Sequence, residues 1–218
     1  MLLSPVRSSI AAAVLTLGLT TAAQAQNYSF SCVSNKSATN CATGVAQLGM
    51  TLAQGAGYVD FRFTNAGPLA SSITDVYWDW TGASNRYTAG AITSSNGVSF
   101  SWGANPSNLP SGNGLTPSFS ANLGADSNAP TRPNGVNPGE WVSFRLWTNL
   151  TSTAADLASG SMRVGLHVQG FSGGGSESYV NRSTTVVAPV PEPEAYALML
   201  AGLGVVGAVA RRKRKQQA

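Results

Sequence analysis

The stretch of sequence that decides the fold class is YVDFRFT, residues 58–64. Its apolar residues Val59, Phe61 and Phe63 occupy every second position, and polar or charged residues stand between them. A period of two residues is that of a β-strand with one face on a core and the other toward water. The turn sequence NAGP, residues 65–68, ends the strand.

The same alternation recurs along the chain, and no long stretch shows a helical period. We therefore predict an all-β domain over residues 26–188, with antiparallel strands arranged as a sandwich or jelly roll. Residues 103–138 are rich in Asn, Pro, Ser and Gly, which predicts a long solvated loop, with a short strand near Phe119 as the alternative within it. The other alternating sets are Val76/Trp78/Trp80, Val98/Phe100/Trp102, Val142/Phe144/Leu146 and Met162/Val164/Leu166/Val168, with a further short run at residues 184–187.

Residues 1–25 have the three parts of a secretory signal peptide. Arg7 supplies the positive charge, an apolar run extends over residues 10–19, and small residues end the segment. The run is short for a bilayer, which needs about 20 apolar residues. We expect the secretion translocon and signal peptidase to act on this segment, with cleavage between Ala25 and Gln26. A buried N-terminal helix and a permanent membrane anchor are the alternatives.

The formal net charge of +4 belongs to the ends of the chain. Residues 26–190 contain seven basic and seven acidic residues, so the central domain is neutral. A neutral domain without a basic stripe is a poor candidate for phosphate contacts. We therefore expect no nucleic-acid partner.

The chain has two cysteines, Cys32 and Cys41. Export to an oxidising compartment predicts a disulfide between them. A zinc site is the weaker alternative, because two thiols without further ligands do not complete one. We expect no metal and no cofactor.

The C-terminal end combines three features in order. Pro191, Glu192 and Pro193 come first, and an apolar segment follows at residues 195–210. As a helix, these sixteen residues would be about 24 Å long, enough to insert as a transmembrane helix with snorkelling flanks. The prolines favour an extended approach to the membrane. Basic residues end the segment and would stay cytoplasmic; they are Arg211, Arg212, Lys213, Arg214 and Lys215.

This order of motif, short Gly-containing apolar helix and basic cluster resembles the PEP-CTERM sorting domain, here residues 189–218. The resemblance implies that exosortase in the inner membrane of a Gram-negative bacterium recognises Pro191, Glu192 and Pro193 and cuts near them. The inner membrane is then a transient anchor, and the mature protein reaches the cell surface or the extracellular space, often alongside exopolysaccharide. An ordinary C-terminal tail anchor is the alternative.

The central domain lacks a convincing catalytic constellation, so we expect no enzyme. Its one histidine, His167, is predicted to be a surface residue, and no Gly-x-Ser-x-Gly elbow occurs. Asp75 and Asp79 on one strand would stand about 13 Å apart, beyond the roughly 5–9.5 Å that glycosidases use. Glu140 and Glu177 could meet across strands, and a cleft uniting them with His167 would favour an enzyme.

An aromatic face is the strongest candidate for binding. With Val142, Phe144 and Leu146 inward, the same strand turns Trp141, Arg145 and Trp147 outward. Two tryptophans flanking an arginine form a flat, partly polar surface suited to sugar rings. The alternative is that Trp147 packs beneath a loop.

Together these features predict a non-catalytic structural or adhesive protein of the extracellular matrix, associated with exopolysaccharide. A carbohydrate-active hydrolase or a lectin-like module with the same tail is the alternative.

Overall fold

The computed structural model describes residues 26–182 and 201–203. Residues 201–203 are helical and exposed. The predicted signal peptide with Ala25, the sorting motif at 191–193, the basic cluster at 211–215 and the run at 184–187 lie outside the described residues, as does most of the predicted helix 195–210. Among the described residues, no helix combines the length and the apolar character that crossing a membrane requires.

Besides residues 201–203, the described part of the chain forms ten strands, three short α-helices and two 3₁₀ helices, at Ser84–Arg86 and Gly112–Gly114. The helices are α1 (Ala38–Gln47), α2 (Thr131–Asn134) and α3 (Thr153–Ser159). The strands are β1 (Gln26–Cys32), β2 (Leu48–Gly55), β3 (Tyr58–Asn65), β4 (Ser72–Trp80), β5 (Thr88–Ser94), β6 (Phe100–Trp102), β7 (Leu123–Ser127), β8 (Trp141–Trp147), β9 (Met162–Gln169) and β10 (Ser176–Asn181).

The strands follow one hydrogen-bonded order, β5-β8-β3-β2-β1-β10-β9-β4-β7-β6, and every pairing is antiparallel. β1 joins two halves, since residues 26–29 pair with β2 and residues 30–32 pair with β10. We call the half from β5 to β1 sheet A and the half from β1 to β6 sheet B. Aromatic contacts between the two inner faces show that the sheets face each other. The predicted all-β sandwich is confirmed.

Trp78 is the centre of the core between the sheets. It belongs to sheet B, has no exposed surface, and lies 5.2 Å from the ring of Phe144 in sheet A. Phe61 and Phe63 of sheet A approach it edge-on at 5.9 and 6.0 Å. These residues stand at the alternating positions that the sequence assigns to inner faces, because the strand period places every second side chain on one side of the sheet.

A disulfide joins Cys32 at the end of β1 to Cys41 in α1, as predicted. Closing so short a loop stabilises the fold by about 2–3 kcal/mol in the chain-entropy description. The same corner is held by the buried carboxylate of Glu177, which accepts hydrogen bonds from the backbone N–H groups of Ser37 (2.7 Å) and Lys36 (3.1 Å). Glu177 therefore satisfies donors at the start of α1.

The predicted solvated loop at 103–138 is interrupted by β7 and α2, and Phe119 itself belongs to no strand. Residues 103–122, which we call the strap, are mostly exposed but lie on the outer face of sheet B, where a few of their side chains are buried. Leu109 and Phe119 of the strap are 3% and 1% exposed. A Cβ at Gly165 of β9 would stand 2.9 Å from Leu109 Cδ2, so this glycine permits the close approach. Leu109 and Phe119 form a small apolar cluster with Tyr77 and Val180 on this face.

Candidate functional site

The outer faces of the two sheets differ in exposure. All nine residues of β4 in sheet B are buried, because the strap covers its outer side. In β3 and β8 of sheet A, buried residues alternate with half-buried or exposed ones. Trp147 is 48% exposed, the largest fraction among the tryptophans of the described residues. The accessible aromatic surface of the sandwich is therefore on sheet A.

The register of β3 and β8 places the predicted residues beside new partners. Tyr58 stands opposite Trp147, Asp60 opposite Arg145, Arg62 opposite Ser143, and Thr64 opposite Trp141. We call the outward side chains of Tyr58, Asp60, Arg62, Trp141, Arg145 and Trp147 the platform. Alternation along β8 predicted the three β8 residues of the platform. The three β3 residues were not predicted as part of the site, since only the strand pairing makes them neighbours of β8.

Trp147 is held at one end of the platform by aromatic and cationic contacts. Its ring meets that of Tyr58 edge-on, with centroids 6.0 Å apart. The Arg145 guanidinium lies 3.7 Å from the Tyr58 ring and 5.8 Å from the Trp147 ring. On the other side, a Cβ at Gly90 of β5 would stand 3.0 Å from Trp147 Nε1. The indole is fixed in orientation while half of its surface stays open to a ligand.

Arg145 and Asp60 form a bidentate ion pair in the middle of the platform. Arg145 Nε and Nη2 donate to the two carboxylate oxygens of Asp60 at 2.8 and 2.7 Å. These hydrogen bonds raise the pKa of Arg145. The pair borders a depression of about 160 Å³ that Ala91, Thr93 and Ser143 complete. Hydroxyl, carboxylate and guanidinium groups thus surround one small, open hollow.

A second depression, of about 370 Å³, adjoins Trp147 at the end of the sandwich. Asn85, Thr88 and Asn149 contribute amide and hydroxyl groups to its wall, together with Arg86. Arg86 itself is paired with Asp156 at 3.0 Å. The exposed indole therefore has polar hollows beside it, a combination that suits a ligand with an apolar ring face and hydroxyl edges.

At the opposite end of the platform, Arg62 lies over Trp141. The guanidinium carbon is 3.8 Å from the centre of the indole ring, and Trp141 is half-buried. Trp141 and Trp147 are six residues apart on one strand, so the platform is about 20 Å long. A surface of that length can contact several sugar rings of one chain.

Residues that could hold a metal lie elsewhere, at Cys32, Cys41 and Glu177. The two sulfur atoms are joined in the disulfide, and both oxygens of Glu177 accept hydrogen bonds from residues 34–37. The sulfur and oxygen atoms of these three residues are therefore engaged in structural bonds and do not form a site that fits a cation.

The prediction that His167 is a surface residue is wrong. Its side chain is 12% exposed, and Nδ1 lies 3.0 Å from Asp75 Oδ2. Asp75 also accepts a hydrogen bond from the Thr74 hydroxyl at 2.8 Å and is 2% exposed.

Asp126 stands opposite Asp75 in the neighbouring strand. Burial, and then the charge and hydrogen bond of Asp75, raise the pKa of Asp126 to about 6.

We predict that Asp126→Asn makes the free energy of unfolding less dependent on pH. Because the native state holds a proton on Asp126 between its ordinary pKa of 3.8 and about 6, native stability falls as pH rises through that window. Solvent reduces the effect at a half-exposed group, so we expect the variant to gain about 1 kcal/mol relative to wild type between pH 4 and pH 7. Urea unfolding at both pH values measures it. A difference between the two proteins that stays constant with pH would contradict the assignment.

The three residues whose meeting would favour an enzyme are not brought together. Glu140 accepts hydrogen bonds from Asn137 in the loop before β8, on sheet A. Glu177 binds residues 34–37 beside α1, and His167 binds Asp75 on sheet B. Each of these groups has its own structural partners.

Residues 189–215 match the family model of the PEP-CTERM protein-sorting motif. No curated protein and no solved structure shows a significant match to the chain. The chain is thus a PEP-CTERM domain-containing protein, exported, anchored in the membrane before processing, and processed by exosortase.

Proposed function

We propose that the central domain is a non-catalytic, adhesive component of the cell surface or extracellular matrix of a Gram-negative bacterium, and that it holds exopolysaccharide on the platform. The observation that carries this function is the half-exposed indole of Trp147, fixed in place beside the Asp60–Arg145 pair. Ring faces of sugars stack on such indoles, while neighbouring fixed polar groups bind their hydroxyls.

The state of the acidic residues supports a binding role over hydrolysis. Asp60, Asp79 and Asp156 each pair with an arginine. Asp75 is almost fully buried and is bonded to Thr74 and His167. A glycosidase needs two carboxyl groups that face the same sugar, whereas the carboxylate on the platform is engaged by Arg145.

The proposal predicts that Trp147→Ala weakens retention of the mature protein on exopolysaccharide about tenfold, which corresponds to a loss of about 1.4 kcal/mol. Co-sedimentation with exopolysaccharide from the producing cells measures the effect. Leu69→Ala is the matched control, since Leu69 is also an exposed apolar side chain, at 53%, but lies in the loop between β3 and β4, beyond the end of β3 that is far from Trp147. Unchanged retention of a folded Trp147→Ala variant would refute polysaccharide binding at this face.

The same preparation tests the absence of catalysis. Incubation of the wild-type protein with the polysaccharide should release no reducing ends above the level of a protein-free sample. Steady release of oligosaccharides, proportional to the protein concentration, would identify a hydrolase instead.

A further inference from the structure

Arg62 differs from the arginines that hold the sandwich together. Arg86, Arg145 and Arg163 each form an ion pair with an aspartate. Within residues 26–182, Arg62 has no carboxylate at ion-pairing distance, and its side chain is exposed. The platform carries two arginines against one aspartate, so it has an excess of one positive charge, which belongs to Arg62.

The Arg62 guanidinium lies over the Trp141 indole, with Cζ 3.8 Å from the ring centre. A cation at that distance is attracted by the face of the ring. The N–H donors of a guanidinium lie in its plane and point outward from its edges. Within residues 26–182 the Arg62 side chain donates no hydrogen bond, so those donors are available to a ligand.

The edge of a guanidinium matches a carboxylate, which can accept two parallel hydrogen bonds from it. Hydroxyl groups stand on both sides of Arg62, since its register partners are Ser143 in β8 and Thr51 in β2. A carboxylate attached to a hydroxyl-rich ring fits this arrangement. The domain as a whole is neutral, so Arg62 is a discrete cation on the platform rather than part of a broad basic surface.

We propose that the platform recognises an acidic polysaccharide, with a sugar carboxylate on Arg62 and a second ring of the same chain on Trp147. This inference rests on the proposed function and names its substrate class. Ser143, the register partner of Arg62, and Trp147 are four residues apart along β8, which is about 13 Å. One polymer chain lying along the strand contacts both positions.

Retention of the mature protein on immobilised alginate, a polyuronate, is compared with retention on the neutral polymer dextran and on dextran sulfate. We expect wild type to prefer alginate over dextran about tenfold, and salt to weaken the preference because the added contact is ionic. Arg62→Gln should remove that preference and leave retention on dextran unchanged. Trp147→Ala should weaken retention on both polymers.

The matched control is Arg132→Gln. Arg132 is also exposed, has no carboxylate partner among the described residues, and lies in α2 away from the platform, so the variant has the same net charge as Arg62→Gln. It should retain the preference for alginate. The carboxylate assignment would be overturned if both variants lost the preference for alginate equally, or if wild type were retained equally on alginate and dextran. It would also be overturned if retention on dextran sulfate depended on Arg62 as strongly as retention on alginate does.

Failure of the proposed function has a different signature. In that case wild type is retained on none of the three polymers, or Trp147→Ala behaves as wild type on all of them. Retention on dextran that depends on Trp147 but not on Arg62 leaves polysaccharide binding intact and overturns only the acidic substrate class.

Discussion

Trp78→Ala is expected to lower the free energy of unfolding by about 3–5 kcal/mol. Trp78 has no exposed surface and contacts aromatic rings from both sheets, among them Phe144 at 5.2 Å and Trp102 at 5.7 Å. Alanine would leave a cavity where the two sheets meet, and four surrounding aromatic residues cannot all move to fill it. For a domain of ordinary stability, about 5–15 kcal/mol, this is a large share of the total. Urea unfolding followed by far-UV circular dichroism measures the loss.

Trp78→Phe is the matched control for this prediction. The buried Nε1–H of Trp78 has no hydrogen-bond acceptor in the described part of the chain. Phenylalanine keeps most of the ring contacts and removes an unsatisfied donor, so we expect a cost below about 2 kcal/mol. If Trp78→Ala cost no more than Trp78→Phe, the core would not depend on this ring.

Simultaneous replacement of Pro191, Glu192 and Pro193 by alanine is expected to abolish processing by exosortase. Proline favours an extended backbone and lacks a backbone donor, which suits binding in a protease active site. Alanine has the highest helix propensity, so the replacement removes that preference for an extended backbone. Intact mass measurement of protein from cells with exosortase should show processed wild type and only the membrane-anchored precursor of the variant.

A double variant, Pro189→Ala with Glu194→Ala, is the matched control, because it removes the same residue types directly outside the motif. It should be processed as wild type is. Normal processing of the triple variant would show that exosortase does not read these three residues. Equal loss in both variants would show that it reads the whole segment rather than the motif.

Sequence periodicity predicted the inner faces of the sheets well. Val59, Phe61 and Phe63 are all fully buried, as are Val142, Phe144 and Leu146. The reason is physical: a strand that faces a core on one side must place apolar residues at every second position. Such a pattern is local, so a single sequence displays it.

The outer face of sheet B could not be predicted in the same way. Asp75, Tyr77 and Asp79 alternate with the core residues of β4, a pattern typical of a face toward water, yet the structure buries them. Their cover is the strap, whose composition is that of a solvated loop. Burial there depends on Leu109 and Phe119 meeting Gly165 across a long sequence separation, and no local pattern reports such a contact.

The platform was predictable only in part, because local alternation shows its β8 residues but not their neighbours in β3. Alternation in β8 turns Trp141, Arg145 and Trp147 outward, and the structure places them there. Their partners Asp60 and Arg62 come from a strand about 80 residues earlier, and only the antiparallel register brings them opposite β8. Which arginine is paired and which is free follows from that register, not from either strand alone.

The most direct test of polysaccharide binding uses the indole N–H signals of the five tryptophans in a ¹⁵N-labelled mature protein. Trp141 and Trp147 lie on the platform, whereas Trp78, Trp80 and Trp102 belong to the core or pack against it. Titration with oligosaccharides of the exopolysaccharide should shift the Trp147 and Trp141 signals and leave the other three in place. Shifts confined to the other three tryptophans, or no shift at saturating oligosaccharide, would contradict binding at the platform.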